Sequence, residues 1–168
     1  PLFRGFDRQT EETERYDEPV LMRPNTHEPT ELAAGFPKTT EELFAYHAVI
    51  LDDLEAAFFS PDQARLIQRF VSERGGGLLM LGGVDSFREG GYAHTPVGEM
   101  LPLYLDAPRS AALPKDLRLE LTREGWLSPW ARLRTTEAEE RSRLDTLPPF
   151  QVLSQVREVK PAASVIAS

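Results

Sequence analysis

Two apolar runs decide the fold: Ala48-Val49-Ile50-Leu51, closed by Asp52-Asp53, and Leu78-Leu79-Met80-Leu81, set between Gly75-Gly76-Gly77 and Gly82-Gly83. Each has the length of a strand and is apolar throughout, as in a parallel strand covered on both faces. Between them Ser60-Pro61 opens a helix. The serine side chain can cap, and proline at the first helical position loses only an amide that has no intrahelical acceptor. Leu66, Ile67, Phe70 and Val71 recur at three- and four-residue spacings, whereas Arg65, Gln68, Arg69 and Glu73 fall elsewhere on the wheel. The spacing predicts an amphipathic helix from Pro61 to Arg74, stopped by the glycine triplet. Strand, crossover helix and strand form a βαβ unit with parallel strands and a right-handed connection. Ligands of such sheets gather at the carboxyl ends of the strands. Here those ends are Asp52-Asp53 and Gly82 to Ser86.

Toward the amino terminus, residues 1–38 are polar and proline-rich, with one apolar island at Val20-Leu21-Met22; they read as an irregular arm with one short strand. Thr39-Thr40-Glu41-Glu42 has the form of a capping box and opens a short helix through Phe44. Toward the carboxyl terminus, Thr95-Pro96 starts a short helix through Met100, and Leu101 to Leu105 is extended. Leu117, Leu119 and Leu121 alternate with Arg118 and Glu120, the pattern of a half-exposed strand. A polar helix runs from Thr136 to Leu144, with Glu137 and Glu139 four residues ahead of Arg141 and Arg143 on a solvated face. Gln151 to Val159 and Ser164 to Ala167 are further strand candidates. The expected organisation is therefore an arm, 1–38, and an α/β domain, 39–168. A start at Pro1 without methionine and an end just past Ser164-Val165-Ile166-Ala167 read as those of an incomplete domain, with any targeting or membrane segment outside it.

Composition narrows the function. With 168 residues, 40% hydrophobic and 27% charged, the chain can bury a core. Its net charge of -8 argues against nucleic acid as a partner, because phosphate backbones are held by clustered Lys and Arg. There is no cysteine, hence no disulfide, thiolate metal site or thiol nucleophile. His27, His47 and His94 are the three histidines, and their spacing forms no paired metal-ligand motif. No cofactor is expected.

The ordered set Tyr46 to Asp53, Gly75 to Gly83, Ser86-Phe87, Gly90-Gly91-Tyr92, Thr95-Pro96 and Leu101-Pro102 carries a resemblance. Over residues 36–105 the chain resembles the putative glutamine amidotransferase domains of the class I glutamine amidotransferase-like superfamily. These occur in large bacterial proteins that often also carry a von Willebrand factor A domain and membrane helices. The resemblance implies a flavodoxin-like three-layer sandwich with a mostly parallel sheet, inside a membrane-associated bacterial parent whose other domains are its partners. It also places the nucleophile of catalytic relatives on the turn from Leu81 to Asp85, nearest Gly82. Glycine supplies no nucleophile, and the downstream His-Glu pair is not recognisable after Trp126.

Other residues at the strand ends invite chemistry. Ser86, with His94 as base and Asp85 or Asp52 as orienter, has the residue types of a serine hydrolase, although no GxSxG elbow is present. Turn hydrogen bonds are the simpler reading of Ser86 and Asp85. Asp52 and Asp53 suit a hard cation by type, and equally a solvated strand end. Gly82, Gly83, Gly90 and Gly91 can cradle an anion through backbone amides or simply turn the chain. The expected ligand-binding set is Asp52, Asp53, Gly82, Gly83 and Ser86. Trp126 and Trp130 are candidates for core packing or an interface. The expectation is a noncatalytic module binding a ligand or partner domain; the alternative is a hydrolase or amidotransferase with a non-cysteine nucleophile such as Ser86.

Overall fold

A computed structural model describes residues 2–4, 20–22, 26, 28–106, 116–151, 153–154 and 158–168. His27, most of the expected arm and part of the strand candidate at Gln151 to Val159 lie outside the described residues. The chain divides into two compact units, Pro1–Met100 and Leu101–Ser168. The division falls inside the stretch expected to be one domain.

The first unit begins with two short strands, β1 (Leu2–Arg4) and β2 (Val20–Met22), paired antiparallel. Helix α1 (Thr40–Phe44) starts as its sequence dictates: the Glu42 amide donates to Thr39 Oγ1 at 3.3 Å, and the Thr39 amide donates to Glu42 Oε2 at 3.3 Å. Strand β3 (Ala48–Asp52), helix α2 (Pro61–Ser72) and strand β4 (Gly77–Leu81) form the expected βαβ unit. The strands pair in parallel from Ala48 opposite Gly77 to Asp52 opposite Leu81. Ser60 caps α2 more completely than a lone serine would. Its Oγ accepts the Gln63 amide at 3.2 Å while Gln63 Oε1 accepts the Ser60 amide at 3.0 Å. Gln63 Nε2 then donates to the Phe36 carbonyl at 3.0 Å, tying the helix start to the preceding loop. The helix ends at Ser72, two residues short of the predicted Arg74, and Gly75 takes a left-handed φ of +76°. Gly76 follows because a β-carbon there would overlap the buried Phe70 ring.

Leu43, Leu51, Phe59, Leu66, Ile67, Phe70, Tyr92 and Val97 are the core of this unit. Phe59 stands edge-on to Phe36 and Phe58, with centroids 5.0 and 5.1 Å away. Helix α3 (Pro96–Met100) contacts α2, and α2 contacts α1, so the helices form one layer.

The expected cover on both faces of the sheet is corrected by the burial of alternate residues. Val49, Leu51, Leu78 and Met80 are covered, whereas Ala48, Ile50, Asp52, Gly77, Leu79 and Leu81 are exposed, Ile50 at 61% and Leu79 at 50%. The reason lies in the single helical layer. A continuous apolar run is compatible with one covered face as well as two, and in this unit the alternate residues of the second face stay open to solvent.

The second unit is held by isolated antiparallel bridges at Leu103 with Val159, Leu117 with Phe150 and Leu121 with Ala167. The alternation at Leu117, Leu119 and Leu121 is real, since Arg118 and Glu120 face solvent, but the ladders are one bridge long. Glu120 and Ser168 exchange two backbone hydrogen bonds, of 2.8 and 2.9 Å. Helix α4 (Arg123–Leu127) is capped by Thr122, whose Oγ1 accepts the Gly125 amide at 3.1 Å. A 3₁₀ turn, Pro129–Ala131, follows.

Helix α5 (Glu137–Asp145) has the expected capping box between Thr136 and Glu139. Its ion pairs differ from the expected four-residue register. Glu137 and Arg141 do pair at 2.7 Å, but Glu139 serves the cap and Arg143 turns to Glu140 instead. Glu140 is fully buried. Its Oε1 accepts from Arg143 and its Oε2 accepts the Leu133 amide at 3.1 Å. The Arg143 guanidinium, aided by that amide, holds the Glu140 carboxyl below the usual carboxylate range against the opposing effect of desolvation. Trp126 is half-buried beneath the Arg141 guanidinium, 4.9 Å from the ring centroid, while Trp130 is 75% exposed. Among the described residues, no helix is long and apolar enough to cross a membrane.

Candidate functional site

The carboxyl ends of β3 and β4 form a small crevice in the first unit. After Asp52 the chain turns sharply, with Asp53 at a left-handed φ of +43°. Aspartate tolerates that region better than most residues because its short polar side chain bonds locally. Here the bond is to the other strand end: Asp53 Oδ1 accepts the Asp85 amide at 2.7 Å. Ser86 Oγ lies 3.4 Å from the same oxygen and donates its proton to the Leu81 carbonyl at 2.8 Å. One carboxylate oxygen thereby fastens the β4 turn to β3.

Glycines permit the close approach. A β-carbon on Gly83 would overlap the Asp53 carboxylate, and one on Gly90 would overlap the Asp85 carbonyl oxygen. Gly90 also accepts the Ala56 amide at 2.7 Å and donates to the Ser86 carbonyl at 3.0 Å. Tyr92, fully buried, closes the far side by donating its hydroxyl to the Leu54 carbonyl at 2.8 Å. Burial, reinforced by the charge of Glu55, pushes the Tyr92 phenol above its ordinary pKa, so it remains a donor throughout the neutral range.

The sequence-predicted residues divide by role. Asp53, Gly83, Asp85 and Ser86 meet directly, and Asp52 and Gly82 stand exposed at the rim. Ser86 is 1% exposed and its proton is committed to a backbone carbonyl. His94 is exposed, has φ +60° and makes no hydrogen bond to Ser86. The pairing of a nucleophile with its base is therefore absent from this arrangement. Among the described residues, no group of three or more His, Asp or Glu side chains converges as a metal site.

Gly90 was offered from sequence as part of an anion cradle or a turn, and its amide is instead taken by the Ser86 carbonyl. Tyr92 was not singled out as part of this crevice; its signal was Gly90-Gly91-Tyr92, where two glycines before an aromatic residue mark a tight approach. The distinction between Asp52 and Asp53 had no signal, since it depends on which carboxylate follows the turn.

No family model matches this chain. A search of curated proteins likewise finds no match. Among solved structures, the chain is similar to the cytoplasmic protein STM3548 from Salmonella typhimurium, with 23% sequence identity and a TM-score of 0.61. The likeness covers 79% of this chain and 55% of that one, so this chain spans about half of its neighbour's length. At this identity the likeness bears on the fold alone: the chain has a mixed α/β fold containing a parallel two-stranded sheet.

Proposed function

We propose that this chain is a noncatalytic glutamine amidotransferase-like module, built on a flavodoxin-like sheet, that binds a ligand or partner domain within a larger, membrane-associated bacterial protein. The observation that carries the noncatalytic reading is the wiring of the strand-end turn. Gly82 stands where a nucleophile is expected, and the nearest hydroxyl, on Ser86, is buried and donates to the Leu81 carbonyl. Nucleophilic catalysis needs a hydroxyl or thiol facing a base and an oxyanion site. Asp53 Oδ1 is turned to the Asp85 amide, at 2.7 Å, and lies farther from the Ser86 hydroxyl, at 3.4 Å. What the crevice offers a ligand is an exposed acidic and glycine rim at Asp52 and Gly82, with Gly83 half-buried behind it.

Two assays test the reading. Glutamine hydrolysis and p-nitrophenyl ester hydrolysis by the full chain are both expected at the rate of the protein-free blank. Ester hydrolysis that disappears in Ser86→Ala, with folding retained, would establish the hydrolase alternative. For the binding arm, thermal shift with phosphate, simple sugars and nucleotides is expected to pick out a ligand whose stabilisation is lost in Asp52→Asn. An empty crevice through that series leaves partner-domain binding as the form of the proposal.

A further inference from the structure

Independently of the strand-end crevice, two surfaces on this chain are both partly apolar and carry opposite charge. The first is a projection on the second unit. Leu127, Trp130 and Leu133 follow one another on the end of α4, the 3₁₀ turn and the residues after it, and are 71%, 75% and 68% exposed. Exposed large apolar residues in such a cluster mark interaction surfaces, and tryptophan and arginine dominate binding hot spots. Arg123, Arg132 and Arg134 lie in the same stretch with Glu124 as its one acid, a local surplus of positive charge on a chain of net charge -8.

The second surface is a groove on the first unit. Leu32, Phe36 and Tyr46 line a cavity of about 650 Å³ and also border an adjoining one of about 290 Å³. The larger volume falls in the range of about 300–1,000 Å³ in which pockets enclose sizeable groups, and the smaller lies at its lower edge. Among the described residues, Glu28, Glu31 and Glu42 line the larger cavity and Lys38 is the one Lys or Arg there, so the groove is acidic where the projection is basic. The Tyr46 phenol registers that field. Burial foremost, then the hydrogen bond to Glu31 Oε1 at 2.6 Å and the charges of Glu31 and Glu42, push its pKa up to about 12.

We propose that the Leu127-Trp130-Leu133 projection of one copy of this chain seats in the Leu32-Phe36-Tyr46 groove of a second copy. The two patches differ, so each contact joins one projection to one groove, either reciprocally in a two-fold dimer or head to tail in a longer chain. Trp130 is the anchor, and the flanking arginines meet the glutamates of the groove, which sets the orientation.

Sedimentation velocity on the full chain tests this, with intrinsic tryptophan fluorescence as a second readout. With rising concentration the mean mass should rise from the 18.9 kDa of one chain to at least twice that value, with a blue shift in emission. Trp130→Ala removes the projection, and Ala33→Arg places a long cation at the lining of the groove. Each variant alone should remain monomeric, while an equimolar mixture should form a one-to-one dimer that grows no further, because each supplies the surface the other lacks. Circular dichroism checks folding, and Leu127→Ser or Ala45→Arg replaces a variant that fails it. A wild-type chain monomeric at all concentrations, undiminished assembly of Trp130→Ala, or a mixture that stays monomeric overturns the proposal. So does a blue shift that arises only with phosphatidylglycerol vesicles, which would assign the projection to a lipid surface.

Discussion

The strand-end crevice and the Glu140 cluster are both polar knots, yet they satisfy their carboxylates in opposite ways. At the crevice, Asp53 remains exposed and needs only backbone and hydroxyl donors, with water completing its shell. In α5, Glu140 is fully enclosed and therefore needs a cation, which Arg143 supplies. A buried ion that loses its partner is left uncompensated, whereas an exposed carboxylate that loses one amide is rehydrated. Enclosure thus says little about availability for chemistry. Ser86 is enclosed and its proton is committed to the Leu81 carbonyl, while Asp52 is open to solvent at the rim.

The contrast is broken most severely at Gly90. Gly90→Ala drives a β-carbon into the Asp85 backbone, which cannot move aside like a flexible side chain. About 3 kcal/mol of stability should be lost, read as a lower urea midpoint with an unchanged slope. Glu140→Gln comes next and should lower the thermal midpoint at neutral pH by several degrees. Its pH dependence sharpens the comparison. Because the folded Glu140 pKa is depressed, the pair contributes fully above the unfolded carboxyl value, about 4.3, and is lost as pH falls through the lower folded value. The difference between wild type and Glu140→Gln should stay level from pH 8 to about pH 5 and narrow below it.

Ser86→Ala should cost about 1–2 kcal/mol in urea unfolding, the price of a lost buried hydrogen bond. An unchanged midpoint would show that the hydroxyl is not the fastener described above. Trp130→Ala should have the smallest effect, within about 0.5 kcal/mol, because three-quarters of that side chain already faces water. A larger loss would show that the projection is structural.

What the sequence made legible was local. Thr39 with Glu42, Ser60 with Pro61 and Thr136 with Glu139 each announce a helix within four residues, and each is a cap in the structure. The parallel pairing of β3 and β4 followed from the crossover helix between them. The open sheet face did not follow, since the second layer is a matter of what surrounds the strand. Helix α4 was hidden by Gly125 in its middle, a glycine required because a β-carbon would overlap the Ile166 carbonyl oxygen more than forty residues away in sequence. At the candidate site the sequence brought the right neighbourhood together, but which oxygen accepts which proton depends on the turn at Asp53. Glu140 was not singled out in the sequence, since its enclosure depends on the residues at Leu133 folding back onto α5.

The exposed row of Ile50, Leu79 and Leu81 has a colloidal consequence. Electrostatic repulsion at a net charge of -8 keeps such surfaces apart in dilute neutral buffer, but that repulsion is screened by salt and vanishes near the isoelectric point of about 5.0. Acidity and ionic strength therefore govern how long the chain stays dispersed, quite apart from how firmly it is folded.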